Sequence, residues 1–254
     1  MIHQTAIIDS SAQIEENVSI GPYAVIGKNT VIKSGVSVGS HSVIECAEIG
    51  ENCRISSHAS IGAPPQDLKY AGEDTKIIVG KNTVVREFVT LNRGTAATGK
   101  TVIGSNCMFM ATSHVAHDCT IGDNVIFANG VATAGHSEVG EGSIIGGMVG
   151  IHQYARIGAY SMLGAGAMVS MDIIPYAQAQ GDRARLVGLN IFGMKRRKMS
   201  LAEINEIKDA YKILFTSKLT LEDSVAKLMS VASSPAVKEI LNFISSSKRG
   251  IARP

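Results

Sequence analysis

The feature that most constrains this chain is a period of six. Positions 2, 8, 14, 20, 26, 32, 38 and 44 read Ile, Ile, Ile, Ile, Ile, Ile, Val and Ile, an unbroken aliphatic run. The frame slips by one to Ile49, Ile55 and Ile61 and resumes at Val79, Val85 and Leu91. It ends in a run from Ile103 to Val169 that is apolar at every sixth position except Thr133. An amphipathic helix needs apolar residues at i, i+3, i+4 and i+7, so a strict period of six excludes it. A solenoid with six-residue faces satisfies the period, and three such faces close a turn of 18 residues. The 26 hexads give nearly nine turns. Stacked at about 4.8 Å per turn, they predict a parallel β-helix, a prism roughly 40 Å long.

A small or β-branched residue usually follows four positions after each aliphatic one, as at Ala24, Thr30, Cys119 and Ser143, so both positions are expected to point inward. Glycine often follows the aliphatic residue directly (Gly21, Gly27, Gly104, Gly122), as expected where a chain turns sharply. Composition agrees: there is no Trp, there are only six Phe and six Tyr against 26 Gly, and 45% of residues are hydrophobic. That favours repetitive β-structure over an aromatic core.

Two segments interrupt the repeat, at 63–76 (APPQDLKYAGEDTK) and at 93–101 (RGTAATGKT). Each is either a tolerated surface insertion or a binding loop on a rigid scaffold. The prism is expected to span residues 1–175 and a linker with a helical domain residues 176–254. Helix starts are marked by Ser200 with Glu203, Thr220 with Asp223, and Ser234 before Pro235. Leu201, Ile204, Ile207, Tyr211 and Leu214 are expected in that domain's core.

A formal charge of +2, with basic residues dispersed outside Lys195-Arg196-Arg197-Lys198, gives no nucleic-acid signature. No apolar stretch approaches the length of a membrane span, and the N-terminus lacks a basic segment followed by an apolar run, so a cytoplasmic protein is expected. Cys46, Cys53, Cys107 and Cys119 form no C-x-x-C and read as reduced structural thiols.

Four of the seven histidines fall close together: His114, His117, His136 and His152. Counting by 18 from His117 leads to Gly135, beside His136, and then to Gln153, beside His152, so successive turns present imidazole along one edge. A lone histidine in β-structure is usually packed or on the surface, whereas several on one edge indicate a site. Asp118 follows His117 directly and could orient it and stabilise its protonated form. Gly135 lacks a side chain, so its N–H could approach an oxyanion.

The tandem [Ile/Leu/Val]-Gly-x-x-[small]-x pattern resembles the hexapeptide-repeat acyltransferases. That resemblance implies an all-β, left-handed parallel β-helix with a small C-terminal α-helical domain. More narrowly, S-H-V-A-H-D-C-T-I-G, A-G-H, I-I-G-G-M-V-G-I-H-Q, P-P-Q-D-L-K-Y-A-G-E and G-L-N-I-F-G-M-K-R-R are similar to the acyl-carrier-protein:UDP-N-acetylglucosamine O-acyltransferases over nearly the whole chain. The resemblance implies acyl transfer to the glucosamine 3-position as the first step of lipid A biosynthesis. His117 would be the base, Asp118 its partner, and Gly135 the oxyanion donor. Gln66, Asp67, Lys69, His114, His136, His152 and Gln153 would line the sugar, phosphate and acyl-pantetheine region. Asn190 and Arg196 would hold the nucleotide, and the bulk of Ala165 would set acyl length. The resemblance further implies a homotrimer with sites between subunits, an acyl carrier protein whose phosphopantetheine carries the donor, and no cofactor or metal.

Two positions depart from the familiar pattern: Phe192, where an acidic residue is usual, and Asn92, where histidine is often found before R-G-T. The competing readings are a zinc hydratase like the γ-class carbonic anhydrases, in which three imidazoles hold a metal, and a purely structural solenoid.

Overall fold

A computed structural model describes residues 1–217, 219–231 and 234–254. The six-residue period becomes three parallel faces. The first runs from Ile7–Ile8 to Met168–Val169 in nine strands, the second from Gln13–Ile14 to Arg156–Ile157 in eight. The third runs from Ser19–Ile20 through Met162–Leu163 and ends on Ala177–Gln180 and Arg185–Leu189. Most strands are two residues long, the second pointing inward: Ile26, Ile32, Ile44, Ile61 and Leu91 are fully buried. The small residues four positions on are buried with them.

Strand register accounts for each irregularity in the period. Ile7 pairs with Val25, eighteen residues on, whereas Val43 pairs with Ser60, seventeen on, which is the frame slip. Ser60 pairs with Thr90 and Thr90 with His114, so twelve and then six residues are looped out without breaking the ladder. The excursions occupy residues 64–75 and 93–99, slightly shorter than the sequence suggests because Ala63, Lys76 and Lys100–Thr101 stay in strands. Thr133, the one polar residue in the long run, is 2% exposed, and its hydroxyl accepts from the Ala116 N–H at 3.3 Å.

The glycines serve a different purpose from the one their sequence position implies. Gly80, Gly104 and Gly122 do not adopt positive φ; a Cβ on them would lie 2.5–2.7 Å from backbone of the next turn. They are required by close stacking. The left-handed corner residue comes two positions later, as at Asn17, Asn29, Asn106 and Asn124, and the corners force even Tyr23 and Phe88 into that region. One further corner series stacks Tyr23, His41, His58 and Phe88 at 5.1 Å intervals.

Aromatic packing fills the middle of the prism, where Phe109 and Phe127 meet edge to face at 5.1 Å and are both fully buried. Phe109→Ala is expected to cost about 3–5 kcal/mol, measurable as a lowered denaturation midpoint with an unchanged transition slope. The cysteines are buried and unpaired, and burial pushes the thiols of Cys53, Cys107 and Cys119 up to about 11.

The sheet outlasts the repeat. Beyond Pro175 the period stops, yet Ala177–Gln180 still pairs with Met162–Leu163 and receives Arg185–Leu189 antiparallel. Among the described residues four helices follow: α1 (Ile191–Arg196), α2 (Leu201–Phe215), α3 (Leu221–Val231) and α4 (Pro235–Ser245). Ser200 and Glu203 form a capping box, and the Ser234 hydroxyl accepts from the Val237 N–H. α1 has no such start in the sequence beyond Asn190, whose side chain caps it by accepting from Gly193 N–H at 2.9 Å. Ile204, Ile207 and Leu214 are buried as expected, but Leu201 is 73% exposed because the first residue of α2 faces outward. The helical core is continuous with that of the prism. No helix among the described residues is long and apolar enough to cross a membrane.

Candidate active site

The corner between the first and second faces carries the chemistry. Both excursions leave the prism there on successive turns, and His117-Asp118, Gly135-His136 and Gln153-Tyr154 occupy the same corner on the three turns above. Together they border a groove of about 1260 Å³ that runs along the first face beneath the 64–75 excursion. Gln66, Asp67 and Lys69 form one bank, His114, His117, His136 and Gly135 the floor, and His152 and Gln153 the far end.

Within this corner the side chains fall into columns. His117 lies beneath Gly135, with the His136 N–H donating to its carbonyl at 3.0 Å. Asp118, His136 and Tyr154 form the next column, all at positive φ, and the His136 and Tyr154 rings stack at 4.6 Å. His152 belongs to neither column and is exposed. The histidines therefore share an edge but not a line. Counting by 18 from His136 reaches Tyr154, a contact the sequence could have yielded.

Asp118 is the electrostatic centre. Its side chain is fully buried and bonds His117 Nδ1 through Oδ2 at 2.7 Å. Oδ1 also accepts the Thr95 N–H at 2.9 Å and the Thr98 hydroxyl, and Oδ2 the Thr95 hydroxyl at 2.7 Å. Burial acts against the charge, but the donors from Thr98, His117 and Thr95 outweigh it and hold the carboxyl down at about 2. An ionised carboxylate can only accept, so Nδ1 carries the proton and Nε2 keeps a free lone pair. The first excursion interrupts the period in the sequence, and the acyltransferase resemblance singles out its Gln66, Asp67 and Lys69. The role of the second, Thr95 and Thr98 as donors to Asp118, has no motif of its own and is visible only once its turn is stacked below His117.

The His117 ring is 7% exposed and lies directly against Gly135, where a Cβ would sit 2.5 Å from Cε1 and 2.6 Å from Nε2. The Gly135 N–H has no partner among the described residues. His114 bonds Thr90 Oγ1 through Nδ1 at 2.7 Å, and burial lowers its affinity for a proton. It therefore contributes a neutral ring to the floor.

His117, Asp118 and His136 are close enough together to suggest a metal centre. They make a poor one, because four donors, His117 Nδ1 among them, already occupy the two oxygens of Asp118. A cation would have to break the bonds that keep the carboxylate ionised. The hydratase reading calls for three imidazoles on one cation, and among the described residues no three histidines come together that closely.

Residues 172–252 match the family described as Udp N-acetylglucosamine O-acyltransferase, Domain 2, residues 100–135 match the bacterial transferase hexapeptide, and residues 1–105 match the GMPPB C-terminal domain. The acyl-[acyl-carrier-protein]–UDP-N-acetylglucosamine O-acyltransferase of Thermodesulfovibrio yellowstonii is 47% identical over 255 residues, covering 99% of each chain. That of Aliarcobacter butzleri is 45% identical over 252 residues, covering 98% of this chain and 97% of that one. The chain belongs to this acyltransferase family. The solved UDP-N-acetylglucosamine acyltransferase of Bacteroides fragilis superposes with a TM-score of 0.97 at 40% identity, covering all of both chains. An Acinetobacter baumannii structure gives 0.96 at 41%, covering 99% of both. The prism is accordingly the left-handed β-helix of these acyltransferases.

Three residues that the acyltransferase resemblance singles out lie outside the groove. Asn190 is 4% exposed, capping α1 through Oδ1 and donating from Nδ2 to the Tyr160 carbonyl at 2.8 Å. Arg196 is exposed on α1, and Ala165 is exposed at the corner between the third and first faces. Arg197 turns inward over the Tyr160 ring at 4.1 Å and donates to the Tyr176 hydroxyl at 3.2 Å, fixing α1 to the prism. Of the departures, Phe192 is 80% exposed, and Asn92 is 3% exposed with Nδ2 donating to the Ala63 and Pro64 carbonyls. Asn92 thus ties down the start of the first excursion. Arg183, from the turn above, also lines the groove, and no repeat or motif had marked it.

Proposed function

We propose that the chain transfers a 3-hydroxyacyl group from the phosphopantetheine thiol of acyl carrier protein to the 3-hydroxyl of UDP-N-acetylglucosamine, the first step of lipid A biosynthesis. The observation that carries this reading is the imidazole of His117, its Nδ1 proton held by an ionised Asp118 and its ring against Gly135, whose N–H has no partner among the described residues.

The sugar 3-hydroxyl gives its proton to His117 Nε2, and its oxygen attacks the thioester carbonyl carbon. Asp118 stabilises the imidazolium that results. The carbonyl oxygen becomes an oxyanion, which the Gly135 N–H stabilises. Collapse breaks the carbon–sulfur bond, and the departing thiolate recovers the proton from His117. Atoms and charge balance without a cofactor, the carrier's phosphopantetheine being part of the donor.

In this reading Gln66, Asp67, Lys69, His136, His152 and Gln153 bind sugar, phosphate and pantetheine along the groove, and neutral His114 faces the acyl region. The groove is open along one bank. A homotrimer would close it with a neighbour's surface, bringing Asn190, Arg196 and Ala165 of another subunit to the nucleotide and acyl ends. Ala165 would then admit a medium-to-long chain. A soluble nucleotide sugar and a carrier protein as substrates support a cytoplasmic location.

Thiol release from a 3-hydroxyacyl carrier protein tests the reading. Release is expected only when UDP-N-acetylglucosamine is present. Equal release without the sugar would mark a thioesterase, and release only with the 3-amino analogue would move the proposal to an amide-forming reaction.

A further inference from the structure

The second excursion touches both halves of the site. Arg93, 7% exposed, reaches down to the strand that leads into the first excursion and to the excursion itself: Nη1 donates to the Gly62 carbonyl at 2.8 Å and Nε to the Tyr70 hydroxyl at 3.1 Å. The guanidinium also lies 5.6 Å over the Tyr70 ring and 3.7 Å from Glu45. Tyr70 in turn donates to the Glu73 carbonyl at 2.9 Å, closing the excursion on itself. Two residues later Thr95 reaches up, giving Asp118 both its N–H and its hydroxyl. Between them Gly94 has no room to adjust, since a Cβ there would lie 2.4 Å from Lys100 N.

We infer that Arg93-Gly94-Thr95 is a positioning bracket: Arg93 sets where the first excursion holds Gln66, Asp67 and Lys69, and Thr95 sets the orientation and ionisation of Asp118. Neither residue meets the reacting atoms. The division follows from chemistry. A planar guanidinium satisfies a carbonyl and a phenol at fixed angles in one buried place, which a lysine ammonium cannot reproduce. A threonine that supplies two of the carboxylate's donors moderates its charge, so removing its hydroxyl leaves more of that charge to His117 and strengthens the imidazole's hold on a proton. One short segment thereby aligns substrate binding with the base.

The kinetic consequences rest on the acyl-transfer reading; the structural consequence does not. In the full chain, Arg93→Met is expected to raise KM for UDP-N-acetylglucosamine about tenfold to hundredfold, with the acidic limb of the pH–rate profile unmoved, and Arg93→Lys is not expected to rescue it. Thr95→Val is expected to lower kcat and move that limb to higher pH with KM little changed, and Thr95→Ser to restore both. Independently of activity, Arg93→Met should speed tryptic cleavage after the exposed Lys69, and Tyr70→Phe should do so more weakly, whereas Thr95→Val should not. Unchanged cleavage in Arg93→Met and Tyr70→Phe, or identical kinetic changes in the Arg93 and Thr95 variants, would overturn the bracket. A wild-type protein that transfers no acyl group would refute the functional reading while the cleavage comparison still decided the structural claim.

Discussion

Replacing His117 by Ala is expected to reduce acyl transfer by about 10²–10⁴-fold, the contribution of one well-placed general base, while the protein stays folded. The side chain is buried at the corner against Asp118 and Gly135, outside the apolar core that holds Phe109 and Phe127, so its loss should leave the ladder intact. The pH dependence carries further information. Its donors hold the Asp118 carboxyl down at about 2, so the carboxylate is ionised throughout the working range and does not itself shape the acidic limb. Because folding lowers that carboxyl's pKa, its contribution to stability is complete above the usual carboxylate range of about 4. It is lost as pH falls through about 2. Kinetics of wild type and variant across pH would check both statements. Full activity in His117→Ala would contradict the base assignment.

Gly135→Ala is the smallest substitution with a comparably large expected effect. A Cβ at that position would fall 2.5–2.6 Å from the His117 ring, so either the imidazole leaves Asp118 or the turn above moves. Both outcomes spoil the approach of the N–H to the developing oxyanion, and loss of such a donor costs about 10²–10³ in kcat. The expected signature is a fall in kcat with carrier and nucleotide binding retained, read from pre-steady-state and equilibrium binding measurements. Near wild-type kcat would mean that the imidazole and the oxyanion do not meet at this glycine.

Much of this site is legible in the amino-acid sequence alone. The six-residue period fixed the faces, and counting by 18 placed Gly135 over His117 because the ladder between those turns carries no insertion. Counting could not place the excursions against the histidines, since their twelve and six extra residues break the arithmetic while the strands on either side still pair. For the same reason Thr95 and Thr98 gave no sign that they hold Asp118. The glycines misled in a specific way. Their position next to the aliphatic residue suggests a turn, but turn residues and close-packed residues are both glycine in sequence, and only the spacing to the next coil distinguishes them. The end of the prism was obscured because Ala177–Gln180 continues the sheet without the period, held by pairing with Met162–Leu163 and Arg185–Leu189.

The most direct test of the central claim, that the His117 corner makes an ester at the glucosamine 3-position, is the mass of the product. Purified protein given UDP-N-acetylglucosamine and a mixture of 3-hydroxyacyl carrier proteins is expected to yield the sugar nucleotide heavier by one 3-hydroxyacyl group. One chain length should be preferred, and the product should be absent from the His117→Ala reaction. Unmodified sugar nucleotide with wild type, or acylated product formed equally well by His117→Ala, would contradict the account.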